Sequence, residues 1–246
     1  MLILPIKTRI LKKGDDIAAE LLKSAKLQPG DILVLSSKAV ATVEGAAVKL
    51  ENMIPSSEAI KYSEICHQNP QFTQAILLEM KRMNGFISST CPFALLTSLK
   101  PNGMNIGRIL CPNAGMDQSN IDAGFAVGWP SDPIRSAKEL RASLNVPVII
   151  SDSCGRPSRL GVTAFALVCA GIDPLQSEIG KNDLYGKPMH LTYEAVADQL
   201  ATAANAVMGN CAECTPAAII RDFVLPFSDF CGWVDGIEPE EDMFGK

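Results

Sequence analysis

Three stretches of this chain are apolar almost without interruption: Ile32-Leu33-Val34-Leu35, Pro147-Val-Ile-Ile150 and Val162 to Ala170. A strand with one wet face alternates polar and apolar residues, whereas a strand without alternation is covered on both faces. The chain therefore needs helices on both sides of a sheet, and the intervening segments supply helical periodicity. Asp15 to Leu27 places Ile17, Leu21, Leu22 and Ala25 on one face, with Asp15 or Asp16 near its cap. Ser57–His67, Pro70–Met83 (opening on a proline suited to a first turn), Ile134–Leu144 and Leu191–Met208 read as further helices. Ile106 to Cys111 and Pro216-Ala-Ala-Ile-Ile220 read as further strands. Strands and helices do not alternate strictly, so the expected class is α/β or α+β, a mixed sheet with flanking helices. No repeat or linker divides the 246 residues, and residues 1–246 are expected to form a single domain, with no boundary visible for any division into two lobes. Ile237–Lys246 reads as an acidic surface tail.

Composition narrows the function classes. With 47% hydrophobic and 20% charged residues the chain is not intrinsically disordered. It carries 22 Lys+Arg against 27 Asp+Glu, a formal charge of −5, and no basic run, which argues against a polynucleotide partner. The apolar start Met1-Leu2-Ile3-Leu4-Pro5-Ile6 precedes the positive charges, the reverse of a secretory signal. The longest apolar stretch, Gly161 to Ile172, is too short for a membrane span. A cytoplasmic protein acting on small molecules, without a nucleic-acid or membrane partner, is expected. The eight cysteines are scattered through a full-size domain, so reduced thiols are expected.

There is no Gly-x-x-x-x-Gly-Lys-Ser/Thr loop, no Gly-x-Gly-x-x-Gly turn and no Gly-x-Ser-x-Gly elbow. The only histidines are His67 and His190, too few for a histidine-rich metal site. Two aspartates stand where strands are expected to stop, Asp117 after Asn113-Ala-Gly-Met and Asp152 after Pro147-Val-Ile-Ile150. Carboxylates at strand ends face the clefts where ligands bind in such sheets. With Ser153 they offer hard oxygen ligands suited to Mg²⁺ or Mn²⁺. Arg156 and Arg159 follow and are candidates to clamp phosphate or carboxylate oxygens, with Arg156 the candidate catalytic residue. A bland alternative is that both aspartates cap turns and both arginines pair with them. Cys211-Ala-Glu-Cys214 is a lone Cys-x-x-Cys without the second pair that zinc normally needs, and a zinc or redox role is the competing reading for it. Asp183-Leu-Tyr185-Gly186 reads as a turn with an aromatic anchor.

Several of these motifs recur together, in order, in one family. Asn113-Ala-Gly-Met-Asp117-Gln-Ser-Asn120, Ile150-Ser-Asp152-Ser153-Cys-Gly155-Arg156, Ile179-Gly-Lys-Asn-Asp183-Leu-Tyr185-Gly186 and Ala206-Val-Met208-Gly209 resemble the coenzyme F420:L-glutamate ligases. The likeness runs from Gly14-Asp-Asp16 to Glu240-Glu-Asp242. It implies the γ-glutamyl-ligase-like fold, a homodimer, and a GTP-dependent amide ligase using a divalent metal (Mg²⁺ or Mn²⁺) and K⁺. In that family an acceptor carboxylate, the deazaflavin precursor, is phosphorylated and the amine of glutamate then displaces phosphate. By the same resemblance Asp117, Asp152 and Ser153 match metal positions, while Ile10, Leu11, Ser37, Asn120 and Gly209 match the nucleotide site. Two positions depart from the family: Thr42 stands where a nucleotide-facing lysine is usual, and Asn210 where a metal-binding glutamate is usual. A diverged ligase acting on a different acid, or a nucleotide- or metal-binding module without turnover, are the alternatives these departures raise.

Overall fold

The structure, a computed structural model, describes residues 1–242. The end of the expected acidic tail, residues 243–246, lies outside the described residues. The chain runs β1 (Leu2–Ile6), α1 (Ile17–Ser24), β2 (Ile32–Ser36), α2 (Ser37–Val43), β3 (Val48–Lys49), α3 (Ser57–Cys66), α4 (Pro70–Arg82), β4 (Phe86–Cys91), β5 (Ala94–Leu99) and β6 (Ile109–Pro112). It continues through β7 (Phe125–Ala126), α5 (Pro133–Leu144), β8 (Val148–Gly155), β9 (Val162–Ile172), β10 (Gln176–Ser177), β11 (Tyr193–Glu194), α6 (Val196–Met208), β12 (Ala217–Arg221) and β13 (Phe227–Trp233).

Six strands make a mixed sheet in the order β1-β12-β2-β8-β9-β13. Only β2 and β8 run parallel, Leu33 opposite Val148 and Leu35 opposite Ile150; the other neighbours are antiparallel. The period-2 geometry of a strand then sorts the apolar runs onto two faces. Leu33, Leu35, Val148, Ile150 and Ile219 pack on one side with α1, α4 and α5. Ile32, Val34, Ile149, Cys169 and Ile220 pack on the other against Val196, Leu200, Ala204 and Met208 of α6. The doubly covered sheet read from the apolar runs is what the fold contains, within a mixed α/β architecture.

Two boundaries and one expected anchor differ from the sequence reading. β8 does not stop at Ile150: it pairs with β9 as far as Gly155 opposite Val162, across a bulge between Ile150 and Ser151. Strand pairing is made by backbone groups, so the polar run Ser151-Asp152-Ser153 continues it while its side chains face a cleft. The helix expected from Leu191 begins only at Val196, because Tyr193–Glu194 pairs with Gln176–Ser177. Tyr185 is no anchor. It is 88% exposed, and Asp183 organises the turn by accepting from the amides of Tyr185 and Lys187.

One ion pair ties the sheet together. Asp31, 1% exposed at the entry to β2, accepts two hydrogen bonds from Arg221 at the end of β12, at 2.8 and 2.7 Å, and another from the Gln28 amide. Burial acts to raise the Asp31 carboxyl, yet the guanidinium and the amide together hold it below the usual carboxylate range. Its folded value lies below its unfolded one, so the stability it adds is present above about pH 4 and is lost as pH falls through the folded value. Asp31→Asn is therefore expected to cost more stability at pH 7 than at pH 3, read from denaturant midpoints at the two pH values; an equal loss would show that the charge contributes nothing.

Candidate active site

A cavity of about 890 Å³ opens at the end of β2 and beside the middle of β8. Its walls come from the β1–α1 loop (Arg9 to Lys13), the start of α2, the loop after Asp117, the middle of β8 and the loop Gly209–Pro216. Of the residues singled out from sequence, Ile10, Leu11, Asn120, Gly209, Asp117, Asp152 and Ser153 all line it. These come from four separate parts of the chain.

Two do not. Ser37 is buried at the first position of α2, and its neighbours Ser36 and Lys38 line the cavity instead. The chain changes from strand to helix between Ser36 and Ser37, which turns Ser37 into the interior and Lys38 outward. Arg156 lies beyond the end of β8, where its Nε donates to the Thr163 hydroxyl at 3.0 Å, outside the cavity lining. Continued pairing of β8 with β9 carries it four residues past Asp152, a rise of roughly 13 Å at strand geometry.

Asp117 sits at the exit of a tight left-handed turn. Asn113, Ala114 and Gly115 have φ of 54, 52 and 73°, and the Ala114 amide donates to the Thr97 hydroxyl at 3.1 Å. Asp117 then exchanges two backbone hydrogen bonds of 2.9 Å with Val127. One carboxylate oxygen accepts from the amides of Gln118 and Ser119; the other accepts from the Ser119 hydroxyl at 2.6 Å and pairs with the Lys38 ammonium. Burial works against its charge, but Lys38 and the Ser119 donors hold the carboxyl below the usual range, so Asp117 is ionised at neutral pH.

Asp152 is in the opposite situation. Burial pushes its carboxyl above the ordinary range, only partly offset by the Trp129 indole N–H at 2.7 Å and the Ser153 amide at 2.8 Å. Both donors are neutral; the nearby Lys38 ammonium offsets a further part of the burial, and neighbouring Asp117 adds like charge. Asp152 makes no direct ion pair among the described residues, and the one ammonium nearby, Lys38, is already paired with Asp117; a cation in the cavity would add the compensating charge. Among the described residues no three His, Cys, Asp or Glu side chains are grouped to hold a metal. A hard divalent cation here would draw on Asp117, Asp152 and the Ser153 hydroxyl, completed by water, in keeping with the oxygen-rich coordination of Mg²⁺. The set fits that ion.

Further cavity residues were not legible from spacing. Lys38 reads as an ordinary surface lysine until α2 aims it at Asp117. Lys13, whose stem lies over Gly45 (a Cβ there would sit 2.6 Å from the Lys13 Cε), shares the cavity with Thr42. Glu213 shares it with Asn210, and its carboxylate accepts the Cys211 amide at 2.7 Å. A Cβ on Gly209 would meet that carboxylate at 2.4 Å and push the Glu213 side chain aside, and the φ of 73° favours glycine at this position. Cys211 and Cys214 are exposed at the same rim, with no third ligand grouped beside them among the described residues. Cys211→Ser is expected to leave turnover within about twofold of wild type in reducing buffer, measured by product formation; a collapse would assign the thiol a role at the site.

Comparisons with known proteins give the family of the chain. The family model described as F420-0:Gamma-glutamyl ligase matches residues 5–222. The chain is 37% identical to the coenzyme F420:L-glutamate ligase of Methanopyrus kandleri, over 87% of this chain and 83% of that protein. It is 36% identical to the protein of that name from Methanosarcina acetivorans, covering 96% and 91% of the two chains. With the counterpart from Methanocaldococcus jannaschii it shares 34% identity over 98% and 96%. With that family model matching residues 5–222 and relatives of 34–37% identity covered over most of their length, the chain belongs to the F420-0:γ-glutamyl ligase family.

Proposed function

We propose that this protein joins L-glutamate through an amide bond to the carboxylate of a deazaflavin F420 precursor, using GTP, a divalent cation (Mg²⁺ or Mn²⁺) and K⁺. The reading rests on one observation above all: the carboxylates of Asp117 and Asp152, from separate parts of the chain, face one cavity walled by the motifs of a γ-glutamyl ligase family. A carboxylate is a poor electrophile until it carries a leaving group. Transfer of the γ-phosphoryl of GTP makes it an acyl phosphate; the glutamate amine then attacks the carbonyl carbon and expels phosphate. A divalent cation, when bound, neutralises charge on the transferring phosphoryl group. Asp117, Asp152 and Ser153 would hold it, and Lys38, paired with Asp117, and Lys13 would add positive charge to the cavity that receives the phosphates. Ile10, Leu11, Asn120 and Gly209 border the nucleotide. Arg156, on the hairpin beyond the cavity, is left without a part in this scheme.

The two departures from the family pattern have neighbours of the missing charge. Lys13 shares the cavity with Thr42, and Glu213 with Asn210. Charge is thereby retained on both counts, which favours a working ligase over a binding module without turnover.

The 246 residues act as one ligase domain, in the cytoplasm, on small molecules and without nucleic-acid or membrane partners. No described helix is long and apolar enough to cross a membrane. We also propose a homodimer. The excursion between β9 and α6 exposes Leu184 and Leu191 at 100% and 87%, and the β8–β9 hairpin exposes Leu160 fully, apolar surface of the kind a second copy covers. Sedimentation equilibrium should give twice the chain mass; a monomer at micromolar concentration would count against it.

The deciding experiment mixes purified protein with GTP, Mg²⁺ or Mn²⁺, K⁺, glutamate and the deazaflavin precursor, followed by mass spectrometry of the acceptor. A gain of one or more glutamyl residues, dependent on nucleotide, supports the reading. Nucleotide binding with no gain overturns the substrate assignment.

A further inference from the structure

The hydrogen bond that Asp152 receives from Trp129 joins the two halves of the candidate cation site. Trp129 is 2% exposed. Its indole N–H donates to one Asp152 carboxylate oxygen at 2.7 Å, while the other oxygen accepts from the Ser153 amide. An indole carries one donor in a fixed direction and no charge. It therefore orients the carboxylate without neutralising it, and leaves the remaining lone pairs of both oxygens to the cavity.

The ring is itself held. Gly115 has φ of 73°, and a Cβ there would lie 2.5 Å from Nε1 and Cε2 of Trp129, so the donor edge of the ring rests against bare backbone. Phe165 packs edge-on at 6.4 Å between ring centres, and Trp233 lies at 6.1 Å. Gly115 precedes Asp117 by two residues, and Trp129 follows Val127, the backbone partner of Asp117, by two. One ring thus abuts the segment that carries the first carboxylate and hydrogen-bonds the second.

We propose that Trp129 is a positioning residue of the cation site, fixing the Asp152 carboxylate relative to Asp117 so that both face one divalent ion. The inference rests on the cation reading above and adds to it a residue that lies behind the cavity lining. Partners that orient metal ligands typically alter affinity by 10- to 100-fold when removed.

The test is Mn²⁺ binding to the full-length protein without nucleotide, followed by the electron paramagnetic resonance signal of free Mn²⁺. Trp129→Phe keeps an aromatic ring and loses the N–H; its Kd for Mn²⁺ is expected to rise about tenfold or more. Trp233→Phe serves as control. It also removes a core indole donor, one that bonds the Asn102 carbonyl at 3.0 Å rather than a carboxylate, and its Kd should stay within about twofold. A purely structural role would lower the melting temperature of both variants and leave Mn²⁺ affinity alone. Wild-type binding with an unchanged Kd in folded Trp129→Phe overturns the positioning role while sparing the cation reading. Absence of Mn²⁺ binding by the wild type overturns both.

Should Trp129→Phe not fold, Trp233→Phe makes Trp129 the sole tryptophan of a chain that has two. Its emission should then be quenched by Mn²⁺ with the Kd found by resonance, and Asp152→Asn should abolish the quenching. Emission that ignores bound Mn²⁺ overturns the proposal.

Discussion

Replacing Asp152 with Asn is expected to reduce nucleotide-dependent glutamate ligation by about 10³-fold or more, since a neutral amide holds a hard divalent cation far less well than a carboxylate. The same change should not harm the metal-free fold. In the wild type, burial raises the Asp152 carboxyl, so its folded value exceeds its unfolded one. The folded state then binds the proton more tightly, and metal-free stability falls as pH climbs from about 4 through the folded value. Above that range Asp152→Asn, which keeps the shape and removes the buried charge, should melt at or above the wild-type temperature in EDTA. Mg²⁺ should raise the wild-type melting temperature and leave the variant unchanged, as expected when a ligand binds only the native state of one of them. Near wild-type turnover in the variant would refute Asp152 as a cation ligand, and a large loss of stability in EDTA would refute the account of its burial.

Gly115→Val should produce the largest loss of stability among single substitutions around the site. A β-branched residue at φ of 73° is strained by about 1–2 kcal/mol. Its Cβ would also lie 2.5 Å from the Trp129 ring, and overpacking of that kind costs about 1–3 kcal/mol. Together they amount to about 3 kcal/mol, or a drop in melting temperature of about 10 °C for a chain of this size. Gly115→Ala should lose less, because alanine carries no branched methyls into the ring. A valine variant melting within about 2 °C of wild type would show that the ring and the turn are not in contact as described.

The two substitutions draw on different kinds of sequence information. Asp152 was legible because an aspartate directly after Pro147-Val-Ile-Ile150 has few places to go other than a cleft, and Asp117 because it follows a strand through a glycine turn. Gly115 was legible as a turn residue only. That it also makes room for a ring fourteen residues later is a matter of distance in space. Trp129 itself reads as an ordinary core aromatic; nothing in Val127-Gly128-Trp129-Pro130 distinguishes an indole that packs from one that also donates to a half-buried carboxylate.

Expectations that moved did so where a local pattern met a distant partner. Leu191 to Ala195 has helical composition, but the backbone of Tyr193 and Glu194 is taken up by Gln176 and Ser177. Ser37, expected at the nucleotide site, turns inward and Lys38 faces the cavity because the turn from β2 into α2 falls between Ser36 and Ser37, and a shift of one residue there reverses which side chain faces the cavity. β1 and β13 were not read as strands. β1 is brief and follows the first residue, and Phe227-Ser-Asp-Phe-Cys-Gly-Trp233 mixes polar residues into an edge strand with a register shift between Phe227 and Cys231.

By itself the sequence determined the covered sheet, most of its helices and the carboxylates Asp117 and Asp152, because hydrophobic periodicity, caps and strand-end chemistry act over a few neighbouring residues. Tertiary structure alone decided that β8 continues past its apolar run, that Arg156 lies outside the cavity, that Lys38 pairs with Asp117, and that Trp129 holds Asp152. Each of those depends on backbone pairing or side-chain contact between residues far apart in the chain, and no local pattern encodes which distant partner will arrive.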